Sequence, residues 1–228
     1  MTHVIAAIIG IMLFATNCFG ADRMELKDQK DKESYSLGYQ FGQSMKRQGL
    51  AVNLDVYTAG IRDALSGAKP QMSQEEVNKT ISEVQSRVMA ARQKELQEMA
   101  DKNLSEGKAF LEANRKKEGV KTLPSGLQYK VLVEGNGKTP KAADEVTVNY
   151  RGTLIDGTEF DSSYSRGQPF TVKVNGAIRG WSEALQLMKE GSKWQLFIPP
   201  DLAYGERVVS RIPPNSTLLF EVELISIK

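Results

Sequence analysis

The residues of this chain best fitted for chemistry are rings, hydroxyls and carboxylates. Tyr150, Phe160, Trp181 and Phe220 lie among patterned apolar positions of the C-terminal half, and the polar Asp161 follows Phe160 directly. Imidazole and thiol chemistry has little to draw on, because the single His3 and the single Cys18 both fall within the first 20 residues. Residues 4–20, VIAAIIGIMLFATNCFG, are continuously apolar and run straight into Asp22 and Arg23. Roughly 16 apolar residues are short for a spanning helix and suit the core of a signal peptide. No Lys or Arg precedes the stretch, while the small Gly20 and Ala21 offer a cleavage point. Asn17 is too large and polar for Cys18 to be a lipoprotein cysteine. Removal of residues 1–21 leaves a mature chain with neither His nor Cys. That excludes disulfides, Cys nucleophiles, Ser–His–Asp triads and the usual His/Cys zinc sites. Catalysis then has to use carboxylates, hydroxyls, amines, or a shaped pocket with no proton-transfer group.

The elements that must position these residues are legible from periodicity. From Leu123 the period is two: Leu127, Tyr129, Val131 and Val133 alternate with Gln128, Lys130 and Leu132, before a Gly135-Asn136-Gly137 turn. Val146, Val148 and Tyr150 share one face of a second strand, and Asp156-Gly157 is a hairpin signal. Phe170, Val172 and Val174 continue the alternation. Ile178, Trp181, Leu185 and Met188 fall at 3-4-3 spacing and predict one short helix closed by Gly191. Trp194, Leu196 and Ile198 form a further strand, and Phe220, Val222 and Leu224 share a face of the last one. An antiparallel sheet wrapped on one helix is an α+β domain. Tyr150 and Phe220 thus point to the core side, where each aromatic taken singly is as readily packing as site. The set together with Asp161 points to a pocket.

The N-terminal half reads as helical. Tyr35, Leu37, Tyr39, Phe41 and Met45 mark one helix ending at Gly49; Leu54 to Leu65 mark a second, capped by Asn53 and stopped by Gly67. Ser73 followed by Glu76 is a capping box that opens a long helix, with Val77, Ile81, Val84, Val88 and Ala91 on one seam. Beyond Arg92 the apolar stripe thins among Lys, Glu and Gln, so the second half is expected to project as a charged stalk. Helices this short have too little core for a stable monomer, which favours dimerisation through the Tyr35–Leu65 region over the alternative of a monomeric three-helix cap folded on the C-terminal domain. The expected organisation is a signal peptide at 1–21, a helical dimerisation module at 22–70, a linker helix at 71–118 and a sheet domain at 119–228.

Charge and local motifs exclude other classes. Lys and Arg number 30 against 28 Asp and Glu, and neither half carries a surplus that suggests nucleic acid or a membrane surface. Gly137-Lys138-Thr139 imitates the end of a P-loop, but Leu132 stands where its first glycine belongs. No Ser occupies a G-x-S-x-G elbow.

Four long segments carry a family resemblance: residues 146–163 (VTVNYRGTLIDGTEFDSS), 176–192 (GAIRGWSEALQLMKEGS), 197–206 (FIPPDLAYGE) and 212–225 (IPPNSTLLFEVELI). Together they make residues 119–228 resemble the FKBP peptidyl-prolyl cis-trans isomerases. The N-terminal helices and the LPSGLQYKV junction at 123–131 resemble the members called macrophage infectivity potentiator (Mip)-like, which are periplasmic or outer-membrane-associated homodimers. The resemblance implies a proline pocket of Tyr150, Phe160, Asp161, Phe170, Ala177, Ile178, Trp181, Tyr204, Ile212 and Phe220. Trp181 matches its floor, and Tyr150, Phe160 and Phe220 its walls. Ile178 matches a residue whose backbone N–H donates to a substrate carbonyl, and Tyr204 a hydroxyl donor to a second. Asp161 lies near the substrate amide with Arg166 orienting it, and either stabilises the amide dipole or orders the wall. No cofactor is implied. The implied partners are proline-containing polypeptides, a second copy of the chain and macrolide inhibitors such as tacrolimus and rapamycin; the implied location is the periplasm, the outer membrane or the cell surface. Two departures bear on preference. The 206–211 loop reads ERVVSR where many members carry a His-Pro-Gly-Ile-type tip, and Ala177 stands where a bulkier residue is common.

Overall fold

The computed structural model describes residues 24–228, so the expected signal peptide lies outside the described residues. The chain divides into two compact units, one ending at Gln74 and the other running from Glu75 to Lys228.

The first unit holds helices α1 (Gln29–Arg47) and α2 (Leu54–Ser66). Asp28 caps α1, its carboxylate accepting the Asp31 N–H at 2.8 Å, and Lys46 and Arg47 complement the dipole in the last turn. Asn53 caps α2 by accepting from the Asp55 and Val56 N–H groups at 3.1 and 3.2 Å. Gly67 ends that helix in the left-handed region at φ 70°, where glycine is unstrained. No residue of either helix is buried, and Tyr35, Leu37, Tyr39, Phe41, Leu54, Val56 and Leu65 are all more than half exposed.

The second unit opens with α3 (Gln74–Asn114), which starts directly after Ser73 as the capping box predicts. Seven strands follow: β1 (Val120–Thr122), β2 (Gln128–Val133), β3 (Glu145–Leu154), β4 (Glu159–Ser162), β5 (Phe170–Lys173), β6 (Lys193–Ile198) and β7 (Leu218–Ile227). They form one antiparallel sheet in the order β1-β2-β6-β7-β3-β4, with β5 paired to the start of β3. The short helix α4 (Arg179–Leu185) packs Trp181, Ala184 and Leu185 into the core that Val146, Val148, Leu196, Ile198, Val222 and Leu224 supply. The period-two reading of β3 and β7 holds residue by residue, with Val146, Val148, Tyr150, Phe220, Val222 and Leu224 all buried.

Two expectations fail for identifiable reasons. Val133 is 51% exposed because a register shift between Val131 and Val133 breaks the alternation at the end of β2. The second half of α3 is no projecting stalk: Ala100, Gly107 and Asn114 are buried, with Leu104 and Leu111 half-buried between them. The seam thus keeps its 4-3-4-3 spacing, but a glycine and an asparagine occupy two of its positions. Phe110 meets Phe197 at 6.1 Å on the side of β6 away from α4. Asn114 donates to the buried Gln128 side chain at 3.0 Å, and Gln128 donates to the Leu111 carbonyl at 2.9 Å. Gln128 keeps the parity opposite to Leu127 and Tyr129, and is buried because α3 covers that face, where it satisfies a carbonyl at the helix end.

Candidate functional site

Six segments of the second unit converge on one cavity of about 330 Å³, lined by Tyr150, Phe160, Asp161, Phe170, Val172, Gly176, Ala177, Ile178, Trp181, Tyr204 and Phe220. β3 carries Tyr150, the hairpin strand β4 carries Phe160 and Asp161, and β5 brings Phe170 and Val172. A single 3-10 turn (Val174–Gly176) leads through Ala177 to Ile178, the residue before α4. Tyr204 follows a second such turn (Pro200–Leu202), and Phe220 comes from β7.

The Asp156-Gly157 hairpin sets the β4 side. Leu154 and Thr158 close it by a backbone bond of 2.9 Å, Gly157 takes φ 87°, and the Asp156 carboxylate accepts the Thr158 N–H. Opposite Asp161 in the ladder stands Gly152. A Cβ there would fall 2.7 Å from the Phe160 ring and 2.8 Å from the Phe220 ring. Those two rings can meet only because this position carries no side chain.

The rings pack edge to face. Trp181 lies 5.1 Å from Tyr150 at 87° and 5.2 Å from Phe220 at 78°. Phe160 meets Phe220 at 5.4 Å and 85°, and Tyr150 meets Phe170 at 5.8 Å and 68°. Such contacts fix ring orientation more firmly than aliphatic packing does. Trp181 is buried and makes the floor, whereas Phe170 is 40% exposed and stands at the rim.

A polar triad backs the Tyr150 wall. The Tyr150 hydroxyl and an Arg166 guanidinium nitrogen each donate to Asp161, on opposite carboxylate oxygens. Arg166 also donates to the Tyr150 hydroxyl at 2.7 Å, and Asp161 accepts the Ser162 N–H at 2.9 Å. The guanidinium lies 5.3 Å from the Tyr150 ring centroid and 6.0 Å from that of Phe170. Burial, seconded by donation to Asp161, pushes the Tyr150 hydroxyl up to about 12. It is therefore a neutral donor across the physiological range.

Nine of the eleven residues that the resemblance implies line the cavity together. Arg166 stands behind Asp161 instead, and Ile212 is buried in the adjoining core, paired across a tight turn with Val209. Val172 and Gly176 line the cavity and were not singled out in the sequence. Val172 shares the face of Phe170 two residues away, a signal that could have found it; Gly176 had none. What this arrangement offers chemically is a slot lined mainly by apolar side chains with donors at its edge. Neither the Ile178 N–H nor the Tyr204 hydroxyl has a hydrogen-bond partner among the described residues, so both are free for a bound carbonyl.

Comparison with known proteins places both parts of the chain. Residues 136–225 match the family described as FKBP-type peptidyl-prolyl cis-trans isomerase, and residues 30–131 match the domain amino-terminal to it. Outer membrane protein MIP of Legionella longbeachae is 46% identical over 100% of this chain and 98% of that protein. Peptidyl-prolyl cis-trans isomerase Mip of Coxiella burnetii is 45% identical over 89% of each. The crystal structure of FkpA from Escherichia coli is 41% identical, covers 90% of this chain and 99% of that one, and superimposes with a TM-score of 0.73.

Proposed function

The chain belongs to the FKBP-type peptidyl-prolyl cis-trans isomerases, and on that premise we propose that it works through desolvation in the cavity floored by Trp181. Rotation about an X-Pro bond faces a barrier of about 18–20 kcal/mol, because the twisted amide loses its resonance. No proton or covalent bond has to be exchanged. An apolar slot that strips water from the amide disfavours the planar, charge-separated form relative to the twisted one. The proline ring sits on Trp181 between Tyr150, Phe160 and Phe220, while Ile178 N–H and Tyr204 hold the flanking carbonyls. The observation that carries this reading is the edge-to-face packing of five rings from four strands and one helix around one slot.

Asp161 orders the wall in this reading. Both of its oxygens already accept from neighbours, so it holds Tyr150 and Arg166 rather than facing the amide. Asp161→Asn keeps one acceptor oxygen, enough for either Tyr150 or Arg166 but not both, and should retain part of the peptide activity, whereas Asp161→Ala should lose about tenfold in kcat/KM. Equal losses in the two variants would assign the role to the charge instead.

We extend the proposal to assembly and location. The exposed apolar residues of α1 and α2 favour a homodimer through these helices. The apolar stretch at 4–20 favours export to the periplasm, with association to the outer membrane or the cell surface. There the enzyme assists folding of exported chains, whose prolyl steps take tens of seconds or more unaided. Macrolides such as tacrolimus and rapamycin compete for the same slot, and inhibition of peptide turnover by either tests that directly.

A further inference from the structure

Two polar side-chain groups at the slot lack a hydrogen-bond partner among the described residues, the Trp181 indole N–H and the Tyr204 hydroxyl. Trp181 is locked among rings on the buried floor, whereas Tyr204 is half-buried at the core edge, so the place of its hydroxyl follows its backbone. That backbone is tied on several sides: the Tyr204 carbonyl accepts weakly from the Arg207 N–H at 3.3 Å and from the Arg207 Nε at 3.4 Å, and the shorter bonds lie at Gly205. Gly205 donates to the Pro200 carbonyl at 2.9 Å, and Asn215 donates to the Gly205 carbonyl at 2.8 Å. Asn215 sits in the left-handed region at φ 53°, and Ser216 donates to the Pro213 carbonyl at 2.9 Å, so residues 213–216 form a tight turn. The turn is clamped in its own right. Asn103 of α3, 111 residues away in the chain, donates its side-chain amide to the Pro214 carbonyl at 2.8 Å. One helical turn on, Gly107 lies so close to Thr217 that a Cβ would fall 2.3 Å from the Thr217 hydroxyl oxygen.

We propose that Asn103 is a positioning residue for the isomerase slot: by clamping Pro214 it fixes, through Asn215 and Gly205, the place of the Tyr204 hydroxyl. Helix α3 then does more than tether the sheet domain. Its last turns help set the geometry of the edge at which a substrate carbonyl is held. The inference rests on the reading of Tyr204 as a carbonyl donor.

The test uses residues 24–228, with protease-coupled turnover of an X-Pro peptide and the amide resonances of Tyr204, Gly205 and Asn215 read on each variant. Asn103→Ala and the near-isosteric Asn103→Asp, which cannot donate, should each lower kcat/KM about three- to tenfold and move those three resonances. Gly107→Ala should do the same by lifting α3 off Thr217, and adding Thr217→Ala should restore part of the rate by removing the obstructing hydroxyl. Lys102→Ala, on the same helix, should leave both readouts unchanged. Folded Asn103 variants with kcat/KM within about twofold of the parent would overturn the proposal. So would a loss of rate with the Tyr204 and Gly205 resonances unmoved, since the effect of Asn103 would then not pass through Tyr204. An inactive parent chain would overturn the isomerase reading instead, and the resonances would still decide whether the clamp reaches Tyr204.

Discussion

Gly152 shows how narrowly the slot is specified at the level of single residues. Its missing side chain is the space in which Phe160 and Phe220 meet. Gly152→Ala should lower peptide kcat/KM at least about tenfold and cost about 1–3 kcal/mol in urea unfolding, the range for overpacking a fixed core. Tyr150 gives a second prediction. Its folded-state value, about 12, lies above the ordinary value of 10. The native state therefore keeps its proton after the unfolded state has lost it. The stabilising contribution is complete below pH 10 and is lost as the pH rises from about 10 towards 12. Ultraviolet titration of the parent against Tyr150→Phe should show one tyrosine ionising late. A difference spectrum centred on the ordinary value would contradict the triad. Tyr150, Trp181 and Phe220 were legible because parity and helical spacing place them, whereas Gly152 and Gly176 were not, since a glycine's role lies in what its neighbours do.

At the scale of elements, the strands were legible and the docking of α3 was not. Alternation over Val146–Tyr150 and Leu218–Leu224 has only one reading, because a shift of one residue would turn every apolar side chain outward. The last turns of α3 hid their buried face from any count of apolar residues. Gly107 and Asn114 hold seam positions through close approach and hydrogen bonding, and only Phe110 and Leu111 advertise the contact. Phe110→Ala should destabilise the second unit by about 1–3 kcal/mol in urea, less than for a fully enclosed ring because Phe110 is half-buried. A change under about 0.5 kcal/mol would return α3 to the role of a free stalk. Gln128 alternates with Leu127 and Tyr129 as expected, yet it is buried for a related reason: its face of β2 lies under α3, where the Leu111 carbonyl supplies a partner.

At the scale of the molecule, the change from helical to strand period near Leu123 separated the two kinds of structure correctly. It did not foresee that the compact sheet unit would take in nearly all of α3, from Glu75 onward. Opposite charges that nearly cancel in both halves leave apolar surface as the argument for assembly. Tyr39 and Phe41 are each 58% exposed on α1. The double variant Tyr39→Asp/Phe41→Asp should sediment at half the mass of the parent while keeping its peptide kcat/KM, since the slot lies wholly within the second unit. Equal masses for parent and variant would contradict dimerisation through these helices. The account as a whole stands on catalysis without proton transfer in an aromatic slot. Its most direct test is protease-coupled isomerisation of an X-Pro peptide series by residues 24–228, beside the Phe160→Ala variant. The account predicts acceleration by the parent for several residues X and a loss of at least about tenfold in the folded variant. A folded parent that accelerates none of the series, or a Phe160→Ala variant as fast as the parent, would contradict it.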